Sequence, residues 1–490
     1  MAVATQSRER AVLEGVPKRL FIGGKWVDAS GGATFPVEDP ATGETIAEVA
    51  DATPDDALAA LAAADQQQAA WRDHPPRERG EILRRAYEAM VARADDLALL
   101  MTLEMGKTVA ESKAEVNYAA EFFRWFAEQA VRIDGRFQTT PTGQGKLLVM
   151  KQPVGPSYMI TPWNFPAAMA TRKIGPAVAA GCTMVLKPAG MTPLSALAVA
   201  QILEEAGLPG GVLNVITSSS SSAVSKPIIS DFRLRKLSFT GSTEVGRMLM
   251  EQASEQILRV SMELGGNAPF IVFDDADLNA AIEGAMIAKM RNIGEACTAA
   301  NRFYVAESVA SDFVEGLSKR MAALKVGRGT EEGVQVGPLI NEEQRSKVQD
   351  LVDDALTRGA KRVVGAEPVD GAGYFYPPTV LSDIPDDARL LKEEIFGPVA
   401  PVKGFADEEQ AVRWANDTVY GLVAYLYTRD LGRALRVMEQ LEYGMIGLNQ
   451  GMVSNPAAPF GGIKHSGVGR EGGYEGIDEY LETKYCAVSY

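Results

Sequence analysis

Arg235-Lys236-Leu237-Ser238-Phe239-Thr240-Gly241-Ser242-Thr243-Glu244-Val245-Gly246 holds the fold in miniature. An apolar strand ends on a glycine, and a helix starts directly after it. Backbone N–H groups at such a helix start, with the positive end of the dipole behind them, suit a phosphate. The stretch lacks the Gly-Lys-Ser/Thr of a P-loop, so nucleotide hydrolysis is not indicated. Short apolar runs of the same kind recur from Leu147 onward: Ser157 to Ile160, Thr183 to Leu186, Val212 to Ile216, Val260 to Leu264 and Phe270 to Phe273. Helical segments separate them, and Thr192-Pro193 is expected to cap one. Strands alternating with helices mean βαβ units and a mostly parallel sheet, which binds ligands at the carboxyl ends of its strands.

The alternation continues with a strand at Arg302 to Val305, helices at Glu307 to Leu324 and Asn341 to Thr357, and strands near Val380 and Val399. Before it, residues 18–50 read as short strands and turns. A helix should open at Thr53, with Thr as N-cap, Pro54 in the first position and Asp55 and Asp56 at the positive dipole end. Helical periodicity then runs from Ala57 to Trp71, Arg77 to Leu103 and Lys107 to about Val131. Residues 479–488 read as a final strand that stands alone and is expected to add to another subunit's sheet. No internal repeat is evident, and Ser218 to Ser222 is the one low-complexity patch.

A chain of 490 residues needs two or three cores. Its net charge of −15 argues against nucleic-acid binding, which needs clustered Lys and Arg. Three scattered cysteines exclude a disulfide framework or zinc site, so no metal is expected and a reducing compartment fits. Residues 1–10 carry no signal-peptide pattern and no run of about 20 apolar residues occurs, so a cytoplasmic protein without a membrane span is expected. His74 reads as solvated and His465 as a turn residue.

Several segments can do chemistry. Cys297 sits among small residues in Gly294-Glu295-Ala296-Cys297-Thr298, with Arg291 one loop-width away. A thiolate is the nucleophilic form, and cation proximity favours it. From this stretch alone a buried structural cysteine is equally admissible. Glu263, at a strand end before Gly265-Gly266, is either a general base or an ordinary exposed acid. Asn164 is a single amide in the stiff loop Thr161-Pro162-Trp163-Asn164-Phe165-Pro166, the kind of fixed donor an oxyanion hole requires. Lys187-Pro188 follows a strand and can present an ammonium to ribose or phosphate, while Glu394 and Phe396 can grip a ribose and ring. Gly467-Val468-Gly469-Arg470-Glu471-Gly472 matches G-x-G-x-x-G, but without a strong strand before it and a long helix after it. It is not read as a dinucleotide fingerprint.

Together these motifs, with Pro459-Phe460-Gly461-Gly462 and Ser466-Gly467, resemble the aldehyde dehydrogenase superfamily over essentially the full chain. The resemblance implies an α/β fold with a Rossmann-like cofactor domain (1–137 and 159–262), an α/β catalytic domain (263–449) and a small β oligomerisation arm (138–158 and 463–490). It implies catalytic roles for Cys297, Glu263, Asn164 and Lys187. Cofactor contacts are implied at Thr161, Pro162, Trp163, Lys187, Ala189, Gly190, Thr240, Gly241, Ser242, Val245, Leu264, Glu394 and Phe396. Within the superfamily the likeness is to the succinate-semialdehyde group, which implies Arg172, Arg291 and Ser454 as the grip on a substrate carboxylate. Paired guanidinium donors suit that planar anion.

Three positions depart from the family pattern. Gly190 stands where NAD-using members often have Glu, so NADP is favoured over NAD, because no carboxylate repels a 2′-phosphate and Lys187 attracts it. Glu295 replaces a common Gln and is expected to place negative charge near Cys297, raising its pKa. Ser218 replaces a common Gly. A homodimer or homotetramer is expected, with no nucleic-acid or membrane partner. The competing readings are a cofactor-independent thiol hydrolase, a non-enzymatic relative, and a dehydrogenase of glutarate semialdehyde or an aliphatic aldehyde.

Overall fold

A computed structural model describes residues 2–367, 369 and 371–489. Two large sheets organise it. The first runs Gly467–Val468, Arg259–Glu263, Lys236–Thr240, Ser157–Ile160, Met184–Lys187, Leu213–Val215, Leu20–Ile22, Lys25–Val27. Its five central strands are parallel, and the flanking pairs are antiparallel. The second runs Lys361–Val364, Thr379–Ser382, Val399–Phe405, Ala300–Ala306, Ala268–Val272, Val423–Tyr427, Met445–Leu448, parallel apart from its first pair. The central strands are buried on both faces, as parallel strands covered by helices must be. Ser157 and Tyr158, expected in the oligomerisation arm, pair instead into the first sheet.

Register aligns the carboxyl ends of the first sheet. Ile160 lies opposite Lys187, and Thr240 lies opposite Glu263. The loops that follow these strands therefore emerge along one edge, and they are the loops that carry the sequence motifs.

The cap at Thr53 is as expected: Thr53 and Asp56 form a reciprocal capping box, with Pro54 in the first turn. Two other expectations need correction. The segment read as one helix from Arg77 to Leu103 is two, Pro76–Ala92 and Ala94–Met105, broken at Arg93; Asp95 and Asp96 open the second. Thr192 does not cap the helix Leu194–Glu205, because its hydroxyl donates to Trp163 O at 3.3 Å. The free N–H groups of Leu194 and Ser195 donate instead to Glu104, at 2.7 and 2.9 Å. A carboxylate from another helix thus replaces the local cap.

The C-terminal strand Leu481–Val488 does not stand alone either. It pairs along its whole length with Lys146–Pro153, which also pairs with Arg136–Thr139. An eight-residue partner in the same chain pairs one edge of the strand, which forms the border of a three-stranded sheet. Among the described residues no helix is long and apolar enough to cross a membrane.

Glu104 is fully buried, and burial raises its pKa to about 7. In Glu104→Gln one of the two helix-end N–H groups faces an amide N–H₂. The expected cost is about 1–3 kcal/mol, read as a lower urea midpoint at unchanged slope. A midpoint equal to that of the parent chain would show that the two N–H groups have other acceptors.

Candidate active site

The helix Leu278–Met290 runs into a tight turn, Arg291–Gly294, before Cys297. Asn292 and Ile293 take left-handed φ of 53° and 61°, which costs an L-residue roughly 1–2 kcal/mol each. The surroundings hold them there. Glu111 accepts the Asn292 N–H at 2.6 Å, and the Asn292 amide donates to Asn164 O at 3.1 Å and to Glu295 O at 2.9 Å. The Asn164 side chain is fixed in turn: Oδ1 accepts from Phe165 N and Nδ2 donates to Glu295 O, each at 3.0 Å. An amide nitrogen has two protons, so one remains for a ligand.

A cleft of about 210 Å³ joins this turn to the strand ends. Cys297, Asn164 and Glu263 line it together with Pro162, Trp163, Thr240, Gly241, Ser242, Leu264, Glu394 and Phe396. Glu394 Oε1 accepts the Gly266 N–H at 2.9 Å, and burial raises its pKa to about 7. The Phe396 ring stands edge-on to Trp163 at 5.4 Å. Lys289, in the helix that leads to the cysteine turn, donates to Gly397 O at 3.2 Å, and Gln344, in the helix Glu342–Thr357, donates to Phe396 O at 2.7 Å, so both helices hold the loop bearing Glu394 and Phe396.

Thr161, Lys187, Ala189, Gly190 and Val245 do not line this cleft. Thr161 N donates to Lys187 O at 3.1 Å, while Gly190 lines a neighbouring cavity of about 480 Å³ with Phe35, Glu38, Ser218 and Ser219. Val245 is exposed on the first turn of its helix. The Ser218 departure has a local explanation: its hydroxyl donates to Asp51 at 3.0 Å, beside two further Asp51 contacts from Ser219.

A nicotinamide dinucleotide fits these residues. Thr161 Oγ1 and Thr240 Oγ1 are buried hydroxyls at strand ends without a hydrogen-bond partner among the described residues. Gly241 and Ser242 stand at the start of a twelve-residue helix. A Cβ on Gly265 would lie 3.0 Å from Glu394 Oε2, so the backbone there stays bare for close approach.

Arg291 donates to Ser454 Oγ at 3.3 Å, and its guanidinium lies over Phe165 at 4.8 Å and Tyr118 at 5.7 Å. Arg172 is buried over Phe460 at 4.2 Å, with Nε against Glu471. Both guanidiniums act on the Cys297 sulfur.

Two residues went unnoticed in the sequence. Lys173 donates to Glu471 at 2.6 Å and to Ser238 at 2.9 Å. Glu471 lies inside the rejected glycine motif. There Gly467 lets the chain pass the strand Arg259–Glu263, since a Cβ would sit 1.8 Å from Met262 O. Despite burial, Arg172 and Lys173 hold Glu471 below the usual carboxylate range. Burial, reinforced by Glu471, pushes Glu263 well above it.

Glu295 corrects an expectation. It is fully buried, Oε1 accepts the Ile340 N–H at 3.1 Å, and burial lifts its pKa well above the usual range. The carboxyl is turned towards Ile340, and burial there disfavours the negative charge expected beside Cys297.

The sequence model of the Aldehyde dehydrogenase family matches residues 26–486. The chain is 60% identical over 444 residues to a succinate-semialdehyde dehydrogenase of Paenarthrobacter nicotinovorans, covering 91% of this chain and 99% of that one. It is 52% identical over 474 residues to a glutarate-semialdehyde dehydrogenase of Pseudomonas putida, covering 96% and 98%. Among solved structures, an E. coli NADP dependent enzyme superimposes with a TM-score of 0.96 at 50% identity, covering 97% and 98%.

Burial pushes the Cys297 thiol up to about 12; Arg172 and, less strongly, Arg291 oppose this, while Glu394 and Glu263 add to it. The resting sulfur is therefore a thiol. Alkylation of Cys297 by iodoacetamide without cofactor should rise about tenfold per pH unit up to pH ~10 with no plateau, followed peptide by peptide because Cys486 is also exposed. A plateau below pH ~8 would mean a resting thiolate.

Proposed function

The chain belongs to the aldehyde dehydrogenase family, and on that premise we propose that it oxidises succinate semialdehyde to succinate with NADP. The observation that carries the substrate class is the Arg291–Ser454 contact, together with the electrostatic pull of both Arg291 and Arg172 on the Cys297 thiol. Cys297 Sγ bonds to the aldehyde carbon as its proton passes to solvent water, giving a thiohemiacetal. The second Nδ2 proton of Asn164 and the Cys297 backbone N–H hold the oxygen as it becomes negative. When bound, the nicotinamide supplies the acceptor for the aldehyde hydrogen. The thioester left on Cys297 is hydrolysed by water from which Glu263 removes a proton. Burial and Glu471 hold the Glu263 carboxyl well above the usual carboxylate range, so more of it is present as the carboxylate base as pH rises.

Thr161, Pro162, Trp163, Leu264, Glu394 and Phe396 would hold the nicotinamide end of the cofactor, and Thr240 to Val245 its phosphates, with Lys187, Ala189 and Gly190 towards the adenosine ribose. NADP is supported by Gly190. A Cβ there would already be 3.3 Å from Ser218 O and 3.6 Å from the Phe35 ring, which leaves no easy room for a ribose-binding carboxylate. We assign residues 1–137 and 159–262 to the cofactor domain, 263–449 to the catalytic domain, and 138–158 with 463–490 to an oligomerisation arm, apart from Ser157, Tyr158, Gly467 and Val468, which pair into the first sheet. The exposed Phe137 and Tyr485 of the three-stranded sheet support a homodimer or homotetramer. We place the enzyme in the cytoplasm. A second reading, glutarate semialdehyde as substrate, is supported by the P. putida relative.

A panel of succinate semialdehyde, glutarate semialdehyde and butanal tests the substrate. Arg291→Ala should raise KM for the two semialdehydes about 10–100-fold, the worth of a charged hydrogen bond, and leave that for butanal unchanged. Equal effects on all three would remove the carboxylate clamp. A second test concerns Lys187, whose pKa burial lowers to about 8. Its positive charge is present below that pH and lost above it, so NADP affinity by calorimetry should weaken from pH 7 to 9 more than NAD affinity does. Parallel pH profiles would sever Lys187 from the 2′-phosphate.

A further inference from the structure

Lys107 lies far from the cleft motifs in sequence, and its side chain is almost fully buried. Its ammonium forms an ion pair with Glu115 and donates to the main-chain carbonyl of Asn164 at 2.8 Å. It also lies 4.3 Å from the centre of the Phe165 ring, whose surroundings include Arg291. Glu115 uses its other oxygen to accept the N–H groups of Ala167 and Ala168, at 3.0 and 3.1 Å. These open the helix Pro166–Ala180, whose own N-cap residue, Phe165, makes no side-chain cap. Lys107 and Glu115 together therefore hold both ends of the turn from Asn164 to Ala168.

The same ammonium acts on two further carboxyls. Glu111 accepts the N–H of the left-handed Asn292, and Glu295 offers its carbonyl to the Asn164 amide. Lys107 thus reaches Asn164 at its main-chain carbonyl and is not among the residues that line the cleft with Cys297. A compact ammonium with three donors can satisfy a carboxylate and a carbonyl at once. An apolar side chain would leave the Asn164 carbonyl without this donor.

We propose that Lys107, braced by Glu115, is the positioning residue of the Asn164 amide, fixing its backbone so that the second Nδ2 proton points to where the oxyanion forms. This rests on the reading of Asn164 as the oxyanion donor. Lys107 does not line the cleft, and its direct contact with the proposed oxyanion donor is the Asn164 carbonyl. That makes it separable from general stability.

The test is a double-mutant cycle on kcat, run with whichever aldehyde of the panel the parent enzyme turns over fastest, so that the choice of substrate does not enter. Lys107→Met should lower kcat about 10–100-fold, as small misplacements of catalytic groups do, with KM for NADP within about twofold. In an Asn164→Ala background the same substitution should change kcat by less than about twofold. A fall of equal size in both backgrounds, or a parental kcat in Lys107→Met, overturns the proposal. The charge-neutral pair Lys107→Met with Glu115→Gln guards against misfolding. It should recover the thermal midpoint while kcat stays low, and a kcat that returns with the midpoint would reduce Lys107 to charge balance. Near-parental kcat in Asn164→Ala alone would strike the oxyanion reading itself, a result distinguishable from the others.

Discussion

Charge taken out of water has to be matched inside the protein, and the walls around Cys297 are built from two such matches. Behind Asn164, Lys107 is paired with Glu115. Behind Glu263, Glu471 is paired with Arg172 and Lys173. Removing one partner of a buried pair leaves an uncompensated charge at a cost of ~3–5 kcal/mol. Each pair therefore has a steep penalty for moving apart, and that penalty keeps the amide and the carboxyl at fixed positions on either side of the sulfur. The sulfur itself stays neutral, since burial outweighs the two guanidiniums. A neutral thiol between rigid, charge-balanced walls is stable until a carbonyl arrives and a proton can leave.

Close packing of backbone completes the arrangement. A Cβ on Gly266 would fall 2.4 Å from Cys297 O, and one on Gly294 would fall 2.3 Å from Gly397 O. Glycine is required at both places because neighbouring main chains touch there. The sheet end that bears Glu263, the turn that bears Cys297 and the loop that bears Glu394 are drawn together at these contacts.

What the sequence disclosed was local. The alternation of strands and helices follows from period and turn chemistry, and the capping box at Thr53 needs only residues 53–56. The motifs bearing Cys297, Asn164 and Glu263 converge because strand ends converge. What the sequence concealed was long-range. Glu104 displaces Thr192 as a helix cap across 90 residues, and Lys173 finds Glu471 across 298. The charge on Glu295 could not be judged from its neighbours either, since burial and the Ile340 N–H decide it. The last strand seemed unpartnered because its partner lies more than three hundred residues earlier. Local propensity carries no information about such pairings.

The two arginines beside Cys297 differ in what they still lack. Arg172 already faces a carboxylate, Glu471, and is buried with it. Arg291 has the Ser454 hydroxyl and two aromatic faces, and no carboxylate partner among the described residues. In a protein of net charge −15, an arginine beside the nucleophile without an acid is set apart from the ion pairs that hold the fold. An incoming carboxylate would meet an unmatched guanidinium at Arg291 and a matched one at Arg172. In the proposed reaction Arg291 bears more of the discrimination between charged and neutral aldehydes, while Arg172 is held by Glu471. On the proposed reading, that single unmatched charge and the sulfur together set the length of the aldehyde that can reach both.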